Sequence, residues 1–308
     1  MPLKRTLLTL VIAVAGLLPS MAAAQQTESR IIGTVTDQNG GILPGVTVTV
    51  TAVATGAVRN TVSDEHGRYT LTNLGPGRYR VAIELSGFAP RQQDITLGVG
   101  DTKPVGVALE VAGLSESVTV SGEQSVVDTS SARIGVNVSP EELANLPVNG
   151  RNFANLMTLA TGATTDGNGG WASVRFNGKS NQQNYLNYDG VDGTYVWDAS
   201  PGYLAATGSQ FRLQTSMESI AEFRVNSGLA PAESGLGAGG NITVVSKSGS
   251  NRLSGSLFDY LRNDGLDSAS KYDGKKQKLE MNQFGASLGG PVATNKTFFF
   301  ASYEGLKS

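Results

Sequence analysis

The chain has 308 residues, a net charge of −2 and only 16% charged residues, which argues against nucleic acid as a partner. It has no cysteine and one histidine, so it lacks a disulfide framework, a thiol nucleophile and the ligands of an ordinary zinc site. That histidine, His66, lies in "SDEHGRY", which reads as an exposed turn and not as the positioned base a Ser-His-Asp hydrolase needs.

Lys4 and Arg5 precede an apolar run, Leu7–Leu18, which Pro19 ends. Ala22, Ala23 and Ala24 then offer a small-residue cleavage site, so residues 1–24 read as a secretory signal peptide. A membrane-spanning helix would need about 20 apolar residues. The 39 glycines point to short strands joined by tight turns.

Strands are expected at Ile31–Thr36, Val46–Thr51, Arg59–Ser63, Arg68–Leu71, Gly77–Leu85, Asp94–Leu97 and Thr102–Leu109. Val46, Val48 and Val50 alternate with threonines, the period of a half-buried strand. Turn signals "DQNGG", "DEHG", "NLGPG" and "LSGF" separate the runs. The segments "GTVTDQNGGILPGVTVTV" and "SDEHGRYTLTNLGPGRYRVAIELSGF" resemble the carboxypeptidase regulatory-like domain, a transthyretin-like β-sandwich, over most of 30–110. The resemblance implies no catalytic centre. Its fold is grouped with carbohydrate-binding-like modules, but no aromatic platform is visible. Tyr69, Tyr79 and Phe88 read as packing residues.

Residues 113–139 are polar, rich in Ser and Val, and have no helical period. Within them Glu116, Ser117, Val118, Thr119, Val120, Ser121 and Gly122 form a stretch in which Val118 and Val120 alternate with small polar residues. Two readings stand: a linker or minor edge strand, and a strand kept unpaired so that a partner can add to it through backbone bonds.

Ser139, Pro140, Glu141 and Glu142 form a helix start, with an N-cap, a proline at the first position and acids in the first turn. The helix is expected to run to about Leu146. After "PVNGR", Phe153, Leu156 and Leu159–Ala160 form a second short apolar stripe that Gly162 ends. Strand-like runs follow: "ASVRFNG", "NYLNYDGVDGTYV", "SIAEFRVNSG" and "GGNITVVSKSGSN". Phe153, Leu156, Leu159, Phe176, Val191, Phe223, Val225, Ile242 and Val244 are expected to share one core. "GLGAGG", with Gly235, Gly237 and Gly240, formally fits a dinucleotide fingerprint. Such a site needs a helix after the glycines, and here a strand-like run follows, so nucleotide binding is rejected.

In order, "EELANLPVNGRNFANLMTLATGA", "VRFNGKSNQQNYLNYDGVDG", "SMESIAEFRVNSGLAPAESGLGAGGNITVVSKSGSN" and "GSLFDYLRN" resemble the plug domain of TonB-dependent outer-membrane receptors, in the Oar-like group that carries an N-terminal carboxypeptidase-like sandwich. Ser234 stands where relatives often have tyrosine. Asn177, Asn181, Asn184 and Asp189 read equally as wall contacts, turn formers or ligand contacts.

Three more strands are expected in "RLSGSLFDYLRN", Asn282–Gly289 and "KTFFFASYEG". In the second, Phe284, Ala286 and Leu288 alternate with Gln283, Gly285 and Ser287. The aromatics of the third suit a girdle at a membrane interface. The expected architecture is mainly β: a transthyretin-like β-sandwich (25–112), a linker (113–139), an α+β plug domain (140–250), and the first strands of an incomplete outer-membrane β-barrel (251–308).

The resemblance implies a non-enzymatic transporter of the Gram-negative outer membrane, with the sandwich and linker on the periplasmic side. Its partner would be the C-terminal domain of TonB, and Glu116–Gly122 would be the TonB box. The substrate is open among small molecules, glycans and peptides. No catalytic, cofactor-binding or metal-binding residue is expected. The rival reading is a secreted or surface-displayed sandwich that binds or adheres, with glycan as one option, and does not transport.

Overall fold

The computed structural model describes residues 29–112, 119–120, 134–145, 153–165, 174–192, 216–228, 238–266, 268–269, 274 and 278–307. The proposed signal peptide and Val118 lie outside the described residues, as do most of the other residues of the 113–139 stretch.

The first unit is a sandwich of two sheets. One holds β1 (Ser29–Asp37), β4 (Arg68–Leu74), β7 (Thr102–Pro104) and β8 (Val107–Leu109). The other runs in the order β3 (Val58–Val62), β2 (Thr47–Ala52), β5 (Gly77–Glu84), β6 (Arg91–Leu97) and β9 (Thr119–Val120). The alternating valines behave as their period requires: Val46, Val48 and Val50 are all buried. They pack with Ile31, Tyr69, Leu71, Tyr79 and Val81 in one core, against which Phe88 also packs.

The single strand expected at 102–109 is broken into two, which pair in parallel with successive stretches of β1, Thr102–Pro104 with 30–32 and Val107–Leu109 with 35–37. Pro104 has no N–H to continue the ladder. Past it, the Val105 N–H turns to the Ile32 carbonyl and the Val105 carbonyl accepts the Tyr69 hydroxyl at 2.6 Å. Burial pushes the Tyr69 phenol well above its ordinary range, so it stays a donor.

The second unit is built on a five-stranded sheet. Its order is β10 (Gly135–Val138), β15 (Ile220–Asn226), β16 (Asn241–Ser246), β13 (Tyr185–Tyr188) and β14 (Val191–Asp192). A hairpin of β11 (Ala163–Thr165) and β12 (Val174–Phe176) adds to it. The helix α1 (Pro140–Asn145) starts where expected, with a reciprocal capping box. Glu142 N–H donates to Ser139 Oγ, and Ser139 N–H donates to Glu142 Oε2 at 2.8 Å.

Leu156, Phe176, Phe223, Val225, Ile242 and Val244 share one core, together with Met157 and Leu186. Two residues assigned to that core from sequence are outside it. Leu159 is 55% exposed: the segment Phe153–Leu159 is a 3-10 helix that buries Leu156 and Met157, and Ala160 just past it is buried as well. Val191 is 56% exposed because β14 is a two-residue edge strand, paired on one side only among the described residues. The side chain of Phe153 lies outside the described residues.

The third unit is an antiparallel sheet of β17 (Ser254–Asn263), β18 (Glu280–Ala293) and β19 (Thr297–Lys307). No helix among the described residues is long and apolar enough to cross a membrane, which says nothing about strands.

Candidate functional site

The third sheet has two chemically different faces. Residues directly opposite across a ladder share a face. Leu257 pairs with Ala286 and Ala286 with Tyr303; Gly255 pairs with Leu288 and Leu288 with Ala301. On this face Leu257, Leu261, Phe284, Leu288 and Tyr303 are all exposed. Leu257 is 87% exposed, and with its neighbours it makes a contiguous apolar patch of the kind that marks a membrane or protein contact. Asp259 and Asn282 also lie on this face, farther along β17 and β18 from the short β18–β19 turn.

The opposite face carries Ser256, Gln283, Ser287 and Glu304 among Phe258, Tyr260, Phe300 and Leu306, and its polar residues meet the second unit. Glu218, just before β15, is the centre of that contact. Its carboxylate accepts from Ser287 Oγ at 2.9 Å and from Ser256 Oγ, and pairs with the Lys247 ammonium at 3.3 Å. Burial by itself would raise the Glu218 carboxyl. The two hydroxyls and the ammonium outweigh it and hold the group below its ordinary value. Nearby, Ser216 Oγ donates to Glu304, which also accepts from Gln283. A cavity of about 820 Å³ opens beside this contact, lined by Glu218, Lys247, Ser256 and Ser287 among others. The carboxylate facing it is already engaged on three sides, so the site is a tie between two bodies.

The four polar residues singled out from sequence in the second unit serve its interior and turns. Asn177 and Asp189 hold positive φ, and Asp189 Oδ1 accepts from Ser246 N–H at 2.8 Å. Asn184 is buried, donating to the Val174 carbonyl at 3.0 Å and accepting from Gly240 N–H at 2.9 Å. Asn181 opens the 3-10 segment Asn181–Gln183. Glu218 and Ser216 were not singled out from sequence. "SMESIAEF" has no spacing that separates a wall contact from a solvated strand entrance.

The glycine run has a structural role where it is described. A Cβ on Gly240 would lie 2.3 Å from the Phe176 ring, so this glycine lets the strand entrance pack on the largest core side chain. The strand β16 follows it at once, and no helix is there to hold a pyrophosphate. His66 lies in an exposed turn, its N–H donating to Asp64 Oδ1 at 2.8 Å. Among the described residues no three His, Cys, Asp or Glu side chains are grouped to hold a metal ion.

Of the stretch Glu116–Gly122, Thr119 and Val120 are described. They form β9, paired in parallel with Gln92 and Gln93 of β6 at the edge of the sandwich. The stretch read from sequence as linker therefore also supplies an edge strand to the first unit, and β10 to the second.

A sandwich, a compact unit under a wall of strands, and a wall that bonds that unit on one face and exposes leucines on the other define an outer-membrane receptor architecture. Two family matches agree with it: the carboxypeptidase regulatory-like domain at residues 30–110 and an outer membrane β-barrel domain at residues 245–308. The order is that of a TonB-dependent outer-membrane receptor of the Oar-like group, a protein of the Gram-negative outer membrane. The particular relative is the TonB-dependent transporter Oar of Myxococcus xanthus, 32% identical over 314 residues. That match takes in 95% of this chain and 28% of the relative's length. Among solved structures, the siderophore receptor PirA of Acinetobacter baumannii matches 56% of this chain and 24% of its own, at 19% identity and a TM-score of 0.39. A streptococcal ancillary pilin matches 28% of this chain and 33% of its own, at 20% identity and a TM-score of 0.24.

Proposed function

We propose that the chain works as the N-terminal part of a TonB-dependent outer-membrane transporter, without covalent chemistry. In this reading residues 1–24 direct export, 25–112 are the periplasmic sandwich, 113–139 carry the handle, 140–250 are the plug and 251–308 begin the barrel wall. The observation that carries it is the third sheet, one face of which holds the plug through Glu218 and Glu304 while Leu257, Leu261 and Leu288 point away. An apolar outward band around a polar interior is what a transmembrane barrel requires.

The side of the membrane follows from turn lengths. Barrel strands are joined by short turns on the periplasmic side and longer loops outside. The β18–β19 turn occupies only 294–296, whereas 264–279 separate β17 from β18. The sandwich touches the short-turn end: Asn251 N–H donates to the Ala54 carbonyl at 2.9 Å, and Asn251 and Asn295 bond each other. The sandwich is therefore periplasmic in this reading, where the TonB C-terminal domain could reach Glu116–Gly122 and add a strand to it. The substrate is a small molecule, glycan or peptide taken up through the barrel.

The test is titration of the purified TonB C-terminal domain into the detergent-solubilised 308-residue chain and its Val118→Pro variant. The substitution stiffens the handle and removes a backbone donor. Binding by the parent and its loss in the variant are expected. Equal binding by both would place the handle elsewhere, and no binding by either would overturn the reading.

A further inference from the structure

The sandwich also meets the plug, at a densely bonded place apart from the two contacts with the wall. The turn that follows β6, Gly98–Asp101, lies against β15 and β10. Val99 is fully buried there, yet it belongs to neither hydrophobic core. Its N–H donates to Glu222 Oε1 at 2.9 Å, and its carbonyl accepts from the Arg224 guanidinium at 3.1 Å. The same guanidinium pairs with Asp101 at 2.9 Å. Asn137 of β10 donates its side-chain amide to the same Glu222 oxygen. Gly98 makes the approach possible, because a Cβ there would lie 2.4 Å from the Asn137 amide and 2.9 Å from Glu222 Oε1.

A carboxylate and a guanidinium taken out of water are tolerable only while their partners stay in place. Three segments must be present together for that: the sandwich turn, β15 and β10. β10 is the outer strand of the plug sheet, paired on one side only among the described residues, through four residue pairs with β15. It is also the first plug strand that the chain reaches after the sandwich. An edge strand held by one short ladder is the first to yield when the chain before it is displaced.

We infer that Gly98–Asp101, Glu222, Arg224 and Asn137 form a latch that holds the sandwich against the plug, and that it opens when β10 leaves β15. Displacing β10 takes away Asn137, strips one of the donors from the buried Glu222 oxygen and admits water to the Arg224–Asp101 pair. Drawing on the chain ahead of β10 would then loosen plug and sandwich in one event. The latch does not depend on what the receptor carries or on TonB.

Hydrogen exchange on the full 308-residue chain in detergent tests it, read at the amides of 98–101 and, as a control for unfolding, at β2 and β5. In the parent the Val99 amide exchanges as slowly as β2 and β5. Gly98→Ala, which pushes the turn off the plug, and Asn137→Ala, which removes the β10 contribution, each accelerate exchange at 98–101 and leave β2 and β5 protected. Lys179→Ala, which removes a plug hydrogen bond away from the latch, changes nothing at the turn. Fast exchange of Val99 in the parent would overturn the latch. Unchanged exchange in Asn137→Ala would overturn its link to β10. If Gly98→Ala unfolds the sandwich, Asn137, on the exposed edge strand, decides alone.

Discussion

Glu222 shows how a side chain can look solvated in sequence and be buried in the fold. In "IAEFRVN" the apolar Phe223 and Val225 alternate with Glu222 and Arg224, the pattern of a strand with one wet face. Both faces of β15 are in fact covered, one by the plug core and the other by the sandwich turn. Period alone cannot tell a solvated face from one that meets another domain, so this contact was not legible. Its electrostatics have a consequence for stability. Burial raises the Glu222 carboxyl above its ordinary 4.5; the Val99 N–H and the Asn137 amide oppose the rise, the Asp101 charge adds to it and Arg224 counters it. The folded chain therefore holds this proton more tightly than the unfolded chain. The contribution is fully present below the unfolded value and is lost as pH rises through the folded one. Glu222→Gln keeps the oxygen that accepts from Val99 and Asn137 and cannot ionise. Its stability relative to the parent, from denaturant unfolding, should increase from below about pH 4.5 towards neutrality. A constant difference across that range would mean that Glu222 does not titrate on folding.

Elements with a strong period were legible, and short or edge elements were not. The strands of the sandwich follow their alternation, and in β18 Phe284 and Leu288 point outward while Gln283 and Gly285 are buried. The helix at Pro140 followed from its capping residues. The position of Leu159 did not, because a seven-residue 3-10 segment offers no stable stripe to read. The division of 102–109 falls at Pro104, whose missing N–H was legible, while the Tyr69 hydroxyl on the Val105 carbonyl, a contact between residues 36 apart, was not. The outward face of β17–β19 supports a prediction at this scale. Leu257 points away from the plug, and Ser256 beside it points towards Glu218. In a full-length receptor Leu257→Arg should destabilise the folded barrel by about 2–4 kcal/mol if the position is near the bilayer midplane, falling to about 0–1 near an interface. Ser256→Ala should leave barrel assembly intact. The check is the fraction of receptor that resists unfolding in sample buffer without heating. Normal assembly of Leu257→Arg would mean that this face does not meet lipid.

Across the whole molecule the described strands fall into separate sheets, and the sheet that faces outward is open. Its order is β17-β18-β19, so the outer sides of β17 and β19 have no strand partner among the described residues. In hydrocarbon such edges leave backbone N–H and C=O groups without partners, each at a penalty of several kcal/mol. Closed outer-membrane barrels begin at about eight strands. The wall is also tied to the plug by Glu218, Ser216 and Glu304, which occupy the face that would line a channel. Two independent constraints thus oppose a pore: an unclosed sheet, and a lumen face already taken by protein. The 308-residue chain reconstituted alone into planar bilayers should therefore give no unitary conductance steps, and a Glu218→Ala, Glu304→Ala double variant should give none either, because loosening the plug does not close the sheet. Steps in the double variant but not the parent would show that the plug contact is the real barrier and that copies of the chain complete a barrel between them. Steps in both would mean that the sheet closes by some pairing of edges that the fold of one chain does not contain.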